Sequence, residues 1–306
     1  MITPFSTPLK PSSLQRGQTV GIISPAGPVI ESDLHEGIRS LQSLDLEVIL
    51  GPHVYHRRGY TAGEDGLRLK DLHDMFRNQK IKAILCARGG YGSLRLLKGI
   101  NFALIRRHPK ILVGYSDITA LLLALHKRTG LVCFHGPVVK EFVRNERKNL
   151  ISLLDLVMSN GMFKIDLSKG KAIREGRAKG IFIGGNLSLL TTLIGTPYMP
   201  SLKGSILFIE ERGEPLYRID RMLTQLKLSG ALKGLAGIVT GGFEDCGDIL
   251  GIEDLFLEAV SASNIPVVSG LPVGHGEENL TVPMGIPVIL DTDGMTLSST
   301  ESCVVP

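Results

Sequence analysis

The chain has 306 residues, enough for two domains and for a large core without disulfide staples. Apolar residues make up 43% and charged residues 21%, which excludes a disordered chain, a collagen and a coiled coil. The formal net charge is +4, and that excess lies between Lys164 and Lys179, where six bases meet two acids. A short basic run without aromatics or a recognition motif reads as a solvated linker, so no nucleic-acid partner is expected.

Short apolar runs alternate with helical patterns along the first half. TVGIIS (19–24) reads as a strand that breaks at Pro25-Ala26-Gly27-Pro28. A helix follows over 31–44, a strand over 46–50, a helix over 63–78 and a strand over 82–86. CARGGYGSLRLL (86–97) runs from that strand through a glycine-rich loop into a helix. KILVG (110–114) is a strand, and the helix over 117–130 is closed by Gly130. These strands show no polar alternation, as in a parallel sheet buried on both faces. The first domain is therefore an open α/β sheet over 1–159, followed by a basic linker over 160–179. The second domain, 180–306, carries a strand over 180–184, a helix from Asn186, a strand over 205–210 and a helix over 215–229. A strand over 236–242, a helix over 251–262 and short strands near 265–268, 286–290 and 294–299 complete it.

Cys86, Cys133, Cys246 and Cys303 form no CxxC pair, and the N-terminus has no unbroken apolar leader. Reduced thiols and a cytoplasmic location are expected. Gly180 to Leu202 carries no charge for 23 residues. Its glycines, prolines and Asn186 would leave polar groups facing lipid, so it reads as buried structure and no membrane partner is expected.

In open α/β sheets, ligands bind beyond the carboxyl ends of the strands. Four loops there hold chemistry. Gly114-Tyr115-Ser116-Asp117 joins an apolar strand to a long helix, a partial match to a nucleophile elbow in which Ile118 replaces the second glycine. Ser116 is either a nucleophile in front of a helix N-terminus or a helix cap. Gly89, Gly90 and Gly92 form either a cradle for an oxyanion or phosphate, or a tight turn. Glu210 closes the apolar strand 205–210 and is placed to orient a base, whereas Glu211 and Glu214 read as solvated loop residues. His275 stands between two glycines, and His135 in CFHGP is its one rival. The acidic loop of Glu244, Asp245 and Asp248 lacks EF-hand spacing, and no HExxH or paired CxxC exists, so no metal or other cofactor is expected. Cys86 and Cys133 lie in apolar strands and read as buried thiols.

RGGYGSLRLL, GYSDITALLLAL, FHGP, GGNLSLL, LFIEERGEPLYRIDRML and GHGEENLTVPMG together resemble the serine LD-carboxypeptidases, murein tetrapeptide carboxypeptidases and microcin-immunity peptidases among them. SPAGP and GYTAGEDGLRLKDLHDMF fit as well, so the resemblance runs from about Ser24 to Gly285. It implies a Ser–Glu–His triad on Ser116, Glu210 and His275. It also implies a flavodoxin-like first domain, a smaller β-rich swivelling-type second domain, a site between them and a homodimer. The microcin-immunity branch resembles a longer chain with a Trp near the site. This chain has no Trp, which points to the murein-recycling branch and a murein peptide substrate. An oxyanion would rest on the backbone N–H groups of Gly90 and Asp117, and Arg88 would meet a substrate carboxylate. A two-lobed binding protein without catalysis is the competing class.

Overall fold

The computed structural model describes residues 7–142, 147–159 and 162–306. The first unit contains β1 (Thr19–Ile23), α1 (Glu31–Gln42), β2 (Glu47–Leu50), α2 (Asp65–Arg77) and β3 (Ile81–Cys86). It continues with α3 (Phe102–Arg107), β4 (Ile111–Gly114), α4 (Thr119–Thr129), β5 (Cys133–His135) and α5 (Arg147–Met158). The five strands are parallel in the order β2-β1-β3-β4-β5, the flavodoxin-like arrangement. β1 and β4 are buried at every residue, which explains their unbroken apolar sequence. α4 buries Leu121, Leu122, Leu123 and Leu125 and ends on Gly130 at φ 78°. Truncating one of these leucines to Ala would cost about 2–5 kcal/mol. The segment after the glycine-rich loop is a 3-10 helix, Ser93–Gly99, rather than an α-helix.

The second unit contains β6 (Lys164–Asp166), β7 (Lys171–Arg174), β8 (Arg177–Asn186), α6 (Leu187–Thr192), β9 (Ser205–Arg212), α7 (Leu216–Leu228) and β10 (Gly237–Glu244). Then come α8 (Ile249–Ala259), β11 (Val267–Ser269), β12 (Val282–Met284), β13 (Pro287–Asp291) and β14 (Thr296–Ser299). Its sheet runs β6-β14-β13-β8-β9-β10-β11-β7, with β8 to β11 mutually parallel and the flanking pairs antiparallel. No helix among the described residues is long and apolar enough to cross a membrane.

Two features depart from the sequence reading. The segment expected as a linker, 160–179, forms β6, β7 and the start of β8; residues 160 and 161 lie outside the described ones. β6 and β7 are the two edges of the eight-stranded sheet. Lys164, Lys171 and Arg174 therefore guard open edges, a use of charge that blocks edge-to-edge pairing, whereas Arg177 and Lys179 lie on the interior strand β8. Lys164 and Asp166 point outward while Ile165 is buried, and Lys171 pairs with Glu253 at 2.6 Å.

The second departure is β12. It lies within the span expected for the second domain, yet it pairs antiparallel with β5 and extends the first sheet. The chain thus leaves the second sheet at β11 and enters the first at β12. The loop between them, 270–281, carries His275. The C-terminal end also returns to the first unit, where Ser13 N donates to Val305 O at 2.7 Å.

Candidate active site

Ser116 is built by its backbone. β4 ends at Gly114, Tyr115 is extended, and Ser116 adopts φ 60° before the 3-10 turn that opens α4. Left-handed φ in a residue with a Cβ costs about 1–2 kcal/mol. Such strain is tolerated where the surroundings fix it, and a nucleophile elbow is one such place.

The glycine-rich loop lies against this elbow. A Cβ on Gly89 would sit 3.2 Å from Ser116 Cβ and 3.4 Å from its Oγ, so a side chain there would crowd the serine. Gly90 follows at φ 102°. Gly89 O accepts from Gly27 N at 2.9 Å, joining the loops after β1 and β3 at the point where strand order reverses. Asp117 clamps the other side: its Oδ2 accepts from Ser93 N at 2.8 Å, and its carbonyl accepts from Ser93 Oγ at 2.5 Å. Buried Arg68 donates to Pro25 O and to Gly92 O, tying both loops to α2. Arg88 is half-buried, with Nη1 donating to Pro28 O at 2.9 Å.

Glu210 sits near the end of β9 and is fully buried. A Cβ on Gly274 would lie 2.9 Å from Glu210 Oε2, so the missing side chain makes room for the carboxylate. His275 Nδ1 bonds Glu210 Oε2 at 2.6 Å. A carboxylate partner places the proton on Nδ1 and leaves Nε2 as the acceptor. The loop is pinned by Asn279, whose Oδ1 accepts from Gly274 N and whose N–H donates to Asn149 Oδ1, both at 3.0 Å. Burial pulls the His275 proton affinity down. The Glu210 hydrogen bond and the charges of Glu210, Glu211 and Glu141 outweigh it, so the net shift is upward.

Tyr115, next to the serine, packs its ring on the His275 imidazole with centroids 4.9 Å apart. Its hydroxyl donates to Glu141 Oε1 at 2.6 Å. The structure thus brings Glu210 and His275 into contact and sets His275 on the neighbour of Ser116. A second junction supports the arrangement, where Asn186 N at the end of β8 donates to Thr119 Oγ1 of α4 at 3.2 Å.

Several residues differ from their sequence reading. Glu211 is not a solvated loop residue. It is buried and accepts from Asn186 Nδ2 (2.7 Å), Ser188 N (2.8 Å), Ser188 Oγ (2.7 Å) and Arg212 N (2.9 Å), holding the start of α6. Glu214 is half-exposed and pairs with Arg218 at 3.1 Å. His135, the rival histidine, ends β5 and is fully buried, and burial, with the charge of His275, lowers its pKa to about 3. All four cysteines are buried and unpaired. Burial pushes the Cys86 and Cys133 thiols well up, which removes them as nucleophiles. Asp248 caps α8 and Asp245 pairs with Arg212 at 3.4 Å. Among the described residues no group of three or more His, Cys, Asp or Glu could hold a metal ion.

Tyr115, Arg68 and Asn279 were not marked by the sequence. Tyr115 carried one signal, its place beside the candidate serine. Arg68 and Asn279 carried none, since Arg68 reaches the backbone of Pro25 and Gly92 and Asn279 meets the side chain of Asn149, all distant in the chain.

Comparison with known proteins places the whole chain in a family. The LD-carboxypeptidase N-terminal domain matches residues 20–136, and the LD-carboxypeptidase C-terminal domain matches residues 179–290. A probable murein peptide carboxypeptidase of Bacillus subtilis (strain 168) is 40% identical over 94% of this chain and 93% of its own. The murein tetrapeptide carboxypeptidase of Pseudomonas aeruginosa is 36% identical over 92% of this chain and 97% of its own. Among solved structures, an MccF-like protein from Bacillus anthracis superposes with a TM-score of 0.90 at 29% identity, covering 96% of this chain and 99% of its own. Matches of this extent show that the chain belongs to the LD-carboxypeptidase family of serine peptidases.

Proposed function

We propose that this chain hydrolyses the L,D-peptide bond that releases the terminal D-alanine from murein tetrapeptides, with Ser116 as nucleophile, His275 as base and Glu210 as orienting acid. The observation that carries the reading is the 2.6 Å bond between Glu210 Oε2 and His275 Nδ1, set against the ring of the residue that precedes Ser116. The names and identities of the two carboxypeptidase relatives support the substrate class.

The roles follow from the chemistry. His275 Nε2 takes the proton of Ser116 Oγ as the oxygen attacks the scissile carbonyl. Glu210 holds the imidazole and stabilises its charged form. The oxyanion rests on the N–H groups of Gly90, the residue after the Gly89 that abuts Ser116, and of Asp117, the residue after the serine. His275 returns its proton to the leaving D-alanine amine. Water then hydrolyses the acyl-enzyme by the same route. Arg88, anchored through Nη1, keeps other guanidinium donors for a substrate carboxylate.

The reading places the reaction in the cytoplasm, where four unpaired buried cysteines stay reduced; the homodimer is carried by the family resemblance alone. The test is D-alanine release from an L,D-linked tetrapeptide, run beside a peptide-nucleotide substrate. Release from the tetrapeptide alone supports the reading. Turnover of the peptide-nucleotide alone would transfer the chain to the microcin-immunity type, which the MccF-like fold match accommodates.

A further inference from the structure

His135 closes β5 at a junction. On one side it pairs with Gly114, two residues before Ser116. On the other it pairs with Val282 of β12, the strand that receives the His275 loop. Its ring is edge-on to Phe208, with centroids 5.0 Å apart, and to Tyr115 at 5.9 Å. Phe208 precedes Glu210 by two on β9, so both side chains leave the same face of the strand. The Tyr115 ring touches both histidines. His135 therefore lies beneath the Glu210–His275 pair.

Buried polar atoms without partners gather here. Neither ring nitrogen of His135 has a hydrogen bond within the protein, and neither has Glu210 Oε1. Asn279 Nδ2 and Thr281 Oγ1, on the segment from His275 to β12, are the same. Among the described residues these are five of the eight buried side-chain polar atoms so placed. Thr281 Oγ1 faces Gly136, the residue after His135, where a Cβ would sit 2.5 Å from it. An unmet buried polar group costs about 1–3 kcal/mol, and a carboxylate oxygen costs more. One His135 nitrogen, Glu210 Oε1, Asn279 Nδ2 and Thr281 Oγ1 make four such groups, and a buried water takes two to four polar partners of this kind.

We propose that His135 is a positioning residue for the catalytic pair, joined to Glu210 Oε1 through one buried water that Thr281 Oγ1 and Asn279 Nδ2 also contact. This rests on the reading of Glu210 and His275 given above. One ring nitrogen of the neutral imidazole meets the water, as donor or acceptor according to tautomer, and burial keeps His135 neutral. The water donates to Glu210 Oε1, fixing the carboxylate plane while Oε2 keeps its bond to His275. The titratable groups that face this cluster are Glu210 on β9, His275 on its loop, Tyr115 on the elbow and Glu141 on the Tyr115 hydroxyl. Glu211 acts on His275 from beyond. With His275 protonated the pair is neutral; with His275 deprotonated it carries one negative charge. A hydrogen bond to Oε1 favours the second state, so its loss raises the pH at which His275 gives up its proton.

The experiment compares His135→Phe, which keeps a ring without donors, with His135→Gln, which keeps a donor and an acceptor. The readouts are kcat, KM and the acidic limb of kcat/KM against pH on the L,D-tetrapeptide. His135→Phe should lower kcat about tenfold, leave KM within about twofold, and raise the limb by about one pH unit. His135→Gln should bring the limb back to its wild-type position. A Phe variant with wild-type kcat and limb, or a Gln variant as impaired as Phe, overturns the proposal. Should His135→Phe not fold, Thr281→Val reads the same water: a raised limb supports the bridge and an unmoved limb overturns it. Ser116→Ala separates the two levels of the argument. If it stays active, the serine reading itself fails; if it is inactive beside an unchanged His135→Phe, only the bridge fails.

Discussion

Replacing each of Glu210, Glu211 and Glu214 by Gln separates three neighbouring carboxylates that do different work. At position 210 the amide must replace a carboxylate that meets His275 Nδ1 at 2.6 Å inside a fully buried site. An amide N–H turned to Nδ1 would force the ring proton onto Nε2, the nitrogen that must accept from Ser116. Loss of the correct tautomer is worth on the order of 10⁴ in kcat in triads of this design. Glu211 instead accepts four hydrogen bonds at the start of α6. A glutamine there has one acceptor oxygen, and its NH₂ must face a donor. The cost is about 1–3 kcal/mol of stability, or roughly 2–4 °C in Tm per kcal/mol. Glu214 is half-exposed in an ion pair with solvent-exposed Arg218, which water and salt screen. Steady-state kinetics and thermal unfolding of the three variants should therefore show one kinetic defect, one thermal defect and one near-silent change. Should Glu210→Gln retain kcat within tenfold of wild type, or should Glu211→Gln be the inactive one, the orienting acid has been misassigned.

Ser116→Ala should lose about 10⁴-fold or more in kcat with folding intact, and Ser116→Gly should be equally inactive yet up to about 1–2 kcal/mol more stable, since it removes the left-handed strain; unfolding curves and single-turnover assays check both. Attack needs a neutral imidazole. The Glu210 bond is among the forces that raise the His275 proton affinity, so kcat/KM should rise with pH through an ionisation above the usual histidine value, and Glu210→Gln should move that limb down. His275→Ala should remove the limb with most of the rate, whereas His135→Ala should keep a limb; the reverse pattern would place the base inside the first sheet. EDTA should leave turnover unchanged, and a loss restored by a divalent ion would contradict the absence of a ligand cluster among the described residues.

Much of the fold could be read from periodicity. β1, β4 and the Ala83–Cys86 part of β3 are buried apolar runs because helices or the second unit cover both faces, and such runs are visible without tertiary knowledge. β12 could not be read this way. It has three residues, includes Pro283, and gains its meaning only by pairing with β5, more than a hundred residues earlier. The basic segment misled for a related reason. Lysines that guard a sheet edge look like lysines in a solvated linker until the edge is known. At the site, Ser116 and His275 stood out through their flanking glycines and strand ends. Glu210 stood out as the last residue of an apolar run. Glu211 was misread because its four partners come from α6 and its own backbone, and a carboxylate that caps a distant helix carries no local mark.

The most direct test of the central claim is D-alanine release from an L,D-linked murein tetrapeptide by the wild-type chain and by Ser116→Ala, followed by mass spectrometry of the wild-type protein after reaction with a serine-directed probe. Release by the wild type alone, with the probe on Ser116, is the predicted result. Release at comparable rates by both chains, or a probe adduct on another residue with Ser116 untouched, would contradict it.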